Sequence, residues 1–169
     1  TQSPKGVNSS NLYWELWNLV FIQHNRNKDG KLENLNSKHV DTGAGFERIV
    51  SVIQNKDNNY ATDLFIPLIT QIEKISEKSA AHNLIPFQVI SDHIRTLSFA
   101  IADGALPSND GRGYVLRRIL RRAARFGRSL DISEPFLYNL VDPLCGVMGE
   151  TFPEIIEKKS HIEKIVKAE

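Results

Sequence analysis

The chain has 169 residues, 41% of them hydrophobic and 24% charged, with a formal net charge of +1. That suffices for one or two domains of ordinary globular composition, each with its own core. No apolar run approaches the roughly 20 residues of a membrane span, the polar start lacks a signal-peptide layout, and a single cysteine, Cys145, excludes an internal disulfide framework and a cysteine-rich zinc site.

A reducing, cytoplasmic setting with no membrane partner is therefore expected, and the glycosylation-type triplet NSS carries little weight without a secretory signal. Residues 12–25, LYWELWNLVFIQHN, are aromatic and β-branched with no Gly or Pro, which predicts a long, largely buried strand. KDG then signals a turn, so a hairpin or short loop follows. Val40 is expected to end a short second strand, and TGAG after Asp41 allows close backbone approach. A helix is predicted from Phe46, with Phe46, Ile49, Val50 and Ile53 on one face. Asp41 or Thr42 is available to cap that helix. A carboxylate at a strand end beside glycines could instead hold a ligand amine. Arg48 sits in the first turn, against the helix dipole; a stacked base or a paired phosphate would give it a purpose.

Past residue 60 the period becomes helical. Leu64, Phe65, Leu68, Ile69, Ile72 and Ile75 form one stripe, with Thr62 or Asp63 as cap and Pro67 in the first turn. Val89, Ile90, Ile94, Leu97 and Ile101 form the next, closed by Gly104. ALPSNDGRG reads as a loop, the arginine-rich GRGYVLRRILRRAARFGR as a helix, and SEPFLYNLVDPLCGVMG and PEIIEKKSHIEKIVKAE as two more. Strands first and helices after make the fold class α+β, or two abutting units.

The arginine segment is the unusual one. Residues 112–128 hold 7 of the 21 basic residues and none of the 20 acidic ones, leaving the remainder at −6. At about 100° per residue, Val115, Leu116, Ile119, Leu120, Ala123 and Phe126 fall on one side, and Arg117, Arg118, Arg121, Arg122, Arg125 and Arg128 on the other. Like charges at i,i+4 repel, so either acids on neighbouring helices or an external polyanion must offset them. Guanidinium forks match phosphate geometry. Arginines that track a nucleic-acid backbone supply affinity but little sequence choice. In the loop before them, Asn109 has both a donor and an acceptor for base edges.

None of the five histidines forms a close metal-ligand pair. His93 and Cys145 read as structural, Trp14 and Trp17 as packing residues with a pocket wall as the alternative, and no Ser/His/Asp arrangement is present. Neither a catalytic nucleophile nor a metal site is expected.

WELWNLVFIQHNR, HVDTGAGFERIVSVIQ, DHIRTLSFAIADG, PSNDGRGYVLRRILRRAARFG and VMGETFPEI resemble, in order and over nearly the whole chain, segments of alanyl-tRNA synthetase, a class II aminoacyl-tRNA synthetase. VDTGAGFER is similar to the third class II motif, and GRGYVLRRILRRA to the tRNA-recognition helices. The resemblance implies the end of a class II catalytic domain, built of short antiparallel strands, over residues 1–58, and part of a mainly helical tRNA-recognition domain over 59–169. It implies that Asp41 holds the α-ammonium of alanine, with Asn18 and Val20 lining the pocket and Gly43 leaving room. It assigns ATP to Arg48, with Gly45 permitting the approach and Glu15 taking part with magnesium. It gives Asn109 the G·U pair of the tRNA acceptor stem, and Arg112, Arg117, Arg118, Arg121 and Arg122 the stem itself. ATP with Mg2+ is thus expected, with zinc only in a downstream domain. The first two class II motifs, the editing domain and the helix bearing an acidic partner of Asn109 are not in this sequence. The resemblance therefore implies a ligase fragment, inactive alone. The alternative from another class is a stand-alone RNA-binding helical module.

Overall fold

The computed structural model describes residues 13–169. The polar start, the triplet at 8–10 and the first residue of the predicted opening strand lie outside them. The chain divides into two compact units, one up to Asn59 and one from Tyr60 onward.

In the first unit, β1 (Trp17–Arg26) and β2 (Leu32–Ala44) form an antiparallel pair, followed by helix α1 (Phe46–Ile53). The predicted turn is present. Gly30 N–H donates to Asn27 O at 3.0 Å, and Asn27 Oδ1 accepts from the N–H groups of Asp29 and Lys31 at 3.1 and 2.9 Å. Gly30 has φ +81°, where a side chain would be strained. The register shifts between Ile22, opposite His39, and His24, opposite Asn34, which breaks the regular ladder.

This unit departs from what its sequence predicts. β1 is exposed along its length, with Trp17 64% and Phe21 69% accessible. Its residues suit a covered sheet, but among the described residues of this unit the sheet has two strands and both faces stay open. The second strand does not stop at Val40. It runs to Ala44, because Asp41, Thr42, Gly43 and Ala44 all pair with β1. Asp41 and Thr42 are therefore strand residues rather than caps, and α1 starts after Gly45 with no side-chain cap. On the predicted apolar face of α1, Ile49 and Val50 are half-buried while Phe46 and Ile53 are exposed.

The second unit is helical: α2 (Ile66–Ser76), α3 (Leu84–Ala102), α4 (Gly111–Ser129), α5 (Val141–Met148), α6 (Pro153–Glu157) and α7 (Lys159–Ala168), with a 3-10 turn at Leu137–Leu140. α3 packs against α2, α4, α5, α6 and α7, and Ile90, Ile94, Leu97 and Ile101 are fully buried along it. Pro67 lies in the first turn of α2, as its missing N–H requires. Gly104, at φ +88°, closes α3. Its N–H donates to Ile101 O and that of Ala105 to Ala100 O, both at 2.9 Å, the paired bonds of a Schellman ending. The last predicted helix is broken at Lys158 into α6 and α7, and Lys158 Nζ donates to Ala102 O at 2.5 Å. Where one helix was expected over 133–149, the 3-10 turn leads into α5. Among the described residues no helix is long and apolar enough to cross a membrane.

Cys145 is half-buried and its Sγ–H donates to Ile155 O at 3.4 Å. Burial pushes the thiol pKa above its ordinary value. The native chain at pH 7.5 is therefore expected to react with a disulfide reagent at least about 10-fold more slowly than the urea-unfolded chain. Equal rates would show that Cys145 is an open, activated thiol.

Candidate functional site

Each unit gathers a set of the residues singled out from the sequence. In the first, the antiparallel register sets Asn18 opposite Gly43 and Val20 opposite Asp41. Cross-strand partners share a face, and so do residues two apart along a strand. Asn18, Val20, Asp41 and Gly43 thus lie on one face of the hairpin. A Cβ at Gly43 would sit 3.2 Å from Asn18 Oδ1, so glycine keeps this spot open. Asn18 Nδ2 donates to Glu15 Oε1 at 2.9 Å. Arg48 Nη1 donates to the Glu15 carbonyl at 2.7 Å. A Cβ at Gly45 would stand 3.2 Å from Arg48 Cδ, so Gly45 lets that side chain fold back along the turn. The hydrogen bond to a carbonyl gives the cation in the first turn of α1 a partner that the helix dipole does not. All six polar or glycine positions predicted here, Glu15, Asn18, Asp41, Gly43, Gly45 and Arg48, are in sequence or strand-register proximity.

In the second unit α4 is amphipathic as predicted, with one exception on each face. Leu116, Leu120 and Ala123 are buried and Ile119 and Phe126 partly so, but Val115 is 54% exposed. An open groove of about 1040 Å³ runs along α4, lined by Asn109, Arg117, Arg118, Arg121 and Arg122. Arg112 is exposed but is not part of that lining. Arg118 lies over the Tyr114 ring at 5.8 Å and Arg122 over Phe126 at 5.9 Å, contacts that favour extended, ordered side chains.

Arg117 differs from the others. It is half-buried, its Nε pairs with Glu169 Oε1, and its Nη1 donates to Asn109 Oδ1. No pattern in the sequence pointed to the Glu169 contact, since a separation of 52 positions carries no local signal. The groove is also lined by Arg125, Tyr114 and His93, and by the apolar Val115, Ile119 and Phe126. The first was visible on the arginine face. Tyr114 was legible as an aromatic four residues before an arginine. His93, read as structural, comes from α3 and shares a 3.3 Å hydrogen bond with Asp92. That bond, with Arg95 nearby, holds the Asp92 carboxyl below its usual range.

The loop before α4 is tightly held. Ser108 Oγ donates to Asp110 O at 2.9 Å, and Tyr114 N–H donates to the same carbonyl at 3.0 Å. Leu106 and Ser108 close over Gly113. Asn109 is thus presented on a short, braced loop at the end of the groove.

All 169 residues match the family described as tRNA synthetases class II (A). The chain is 52% identical over 169 residues to the Alanine–tRNA ligase of Staphylococcus saprophyticus, an alignment that covers 98% of this chain and 19% of that protein. It is 55% identical over 160 residues to the Alanine–tRNA ligase of Chlorobium chlorochromatii, covering 92% and 18%. Against that of Staphylococcus aureus (strain JH9) the identity is 51% over 169 residues, covering 98% and 19%. The chain spans about a fifth of the length of the curated relatives it matches.

Proposed function

This chain belongs to the class II tRNA synthetase family, and on that premise we propose that it is a segment of an alanine–tRNA ligase. The parent protein activates alanine with ATP to alanyl-adenylate and passes the alanyl group to the tRNA 3′ end. Residues 1–58 contribute to the catalytic domain and 59–169 to the tRNA-recognition domain.

The observation that carries the reading is the strand register. It sets Asn18, Val20, Asp41 and Gly43 on one face, beside Glu15 and Arg48. Asp41 holds the α-ammonium of alanine by a charge-assisted hydrogen bond. Asn18 and Val20 line the space that Gly43 leaves open. Arg48 pairs with ATP by its planar, always-charged guanidinium, and Gly45 lets it fold into place. The substrate carboxylate attacks the α-phosphate in line and pyrophosphate leaves, so the protein's task is positioning and charge stabilisation. Magnesium arrives with ATP. The Glu15 carboxylate would hold that ion, which would neutralise phosphate charge beside Arg48. Zinc belongs to another part of the parent protein and enters no step here.

In the second unit Asn109 reads the G·U pair of the acceptor stem, while Arg112, Arg118, Arg121 and Arg122 hold the RNA backbone. A stand-alone RNA-binding module would use this groove but leave the first unit's gathered residues without a task.

The test is alanine-dependent ATP–pyrophosphate exchange by the full-length protein. Asp41→Asn is expected to raise the KM for alanine by at least about 10-fold, the cost of one charge-assisted hydrogen bond, with the KM for ATP nearly unchanged. An unchanged alanine KM would remove Asp41 from the site. Exchange at a comparable rate by the 169 residues alone would refute the fragment reading.

A further inference from the structure

Six of the seven arginines between 112 and 128 are exposed, and Arg117 is turned inward. Its side chain is 32% accessible and its partner Glu169 20%. The guanidinium bridges two groups of this unit: Nε to the Glu169 carboxylate on the chain following α7, and Nη1 to the side-chain oxygen of Asn109 eight residues upstream. A guanidinium has donors and no acceptor. The end of the Asn109 amide facing Arg117 must therefore be Oδ1, whichever way the amide would otherwise turn. Nδ2 then becomes the free end. It has no hydrogen-bond partner among the described residues, and Asn109 lines the groove.

We propose that Arg117 is a positioning residue, held by Glu169, that locks the Asn109 amide so that it offers a donor and not an acceptor to the RNA base edge. This rests on the reading of Asn109 as the base reader. It moves Arg117 out of the set that grips the backbone. The physical gain is preorganisation. A free asparagine on a loop presents either end and discriminates poorly, whereas one whose oxygen is occupied selects for a base acceptor. A guanidinium already neutralised by a carboxylate is also a poor phosphate ligand, so this arginine serves orientation rather than affinity.

The test measures the ratio of affinities of the full-length protein for G·U and G·C acceptor-stem hairpins, as a function of salt. Arg117→Met keeps the aliphatic stem and removes the donors. It is expected to lower the ratio by about 10-fold, as far as Asn109→Ala does, with no further fall in the double variant. Its salt slope is expected to stay that of the unaltered protein, while Arg118→Ala lowers the slope by about 1. Glu169→Gln should move the ratio in the same direction. Asn109→Asp, which keeps an oxygen for Arg117 but loses the donor, should abolish the preference. A fall in slope with an unchanged ratio would make Arg117 an ordinary phosphate ligand and overturn the inference, as would additive losses in the double variant or a preference retained by Asn109→Asp.

A second measurement is independent of RNA. In the 169-residue chain, NMR relaxation of the Asn109 side-chain amide should show it ordered, and loosened in Arg117→Met but not in Arg118→Ala. An amide equally mobile in all three overturns the inference. If the unaltered full-length protein shows no G·U preference, the reader role of Asn109 falls, while the amide relaxation still decides whether Arg117 holds it.

Discussion

Replacing Arg118 and Arg122 together by alanine is expected to weaken acceptor-stem binding by the full-length protein about 10- to 100-fold at low salt, and to flatten log K against log salt by about 2. Both side chains are exposed, line the groove and lie over aromatic rings of their own helix. Their surroundings on α4 hold further arginines and no acid, so each added phosphate contact relieves repulsion as well as adding attraction. The free protein should respond in the opposite direction. Removing two members of like-charge i,i+4 pairs, and adding two strong helix formers, is expected to raise its stability by a few tenths of a kcal/mol. Tighter folding with weaker binding cannot be mistaken for misfolding. Were the helix face merely solvated, affinity and slope would both stay where they are.

Gly113→Ala gives the second large effect. By propensity alone, alanine in a helix gains about 0.5–1 kcal/mol over glycine. Position 113 reverses the sign. A Cβ there would stand 2.2 Å from Ser108 Oγ and 2.4 Å from the Leu106 carbonyl oxygen. Ser108 Cβ would also stand only 2.9 Å away, and the carbonyl is backbone, so the loop 106–110 must lift. Overpacking of this kind costs about 1–3 kcal/mol, which outweighs the propensity gain. The loop that lifts is the one bearing Asn109. The expected result is therefore a lower unfolding midpoint together with a loss of the G·U over G·C preference, while the salt slope stays unchanged because the arginines remain. Urea denaturation and hairpin titration of the same variant check both halves. A stabilised variant with its preference intact would show that the loop does not rest on the helix.

The two readouts separate holding from choosing. Arg118, Arg121 and Arg122 repeat along one helix face, and a 3.6-residue period shows such a face without any tertiary information. Asn109 was legible for another reason: it is the amide of a polar loop immediately before the charged helix. What surrounds these residues was not legible. Gly113 reads as one more glycine in a loop-like GRG until Leu106 and Ser108 are seen closing over it. Arg117 reads as one arginine among seven until Glu169 and Asn109 are seen on either side of it. The first unit teaches the same lesson from the opposite direction. The composition of β1 correctly indicates a strand, but it indicates burial only where other elements cover it, and burial is a property of neighbours. β2 is longer than its composition predicts, because DTGA is poor strand sequence. Pairing with Trp17, Asn18, Leu19 and Val20 overrides that local preference.

By itself the amino-acid sequence determined the order of strands and helices, the apolar stripe of each long helix, the charge segregation on α4 and the family, because each of these is written in residue type and local spacing. The tertiary structure alone decided which face of the hairpin carries Asn18 and Asp41, which arginine turns inward, and which glycines are irreplaceable. Those follow from register and from contacts between residues as far apart as Arg117 and Glu169. Such contacts are set by packing free energy summed over a whole unit, which leaves no periodic trace along the chain.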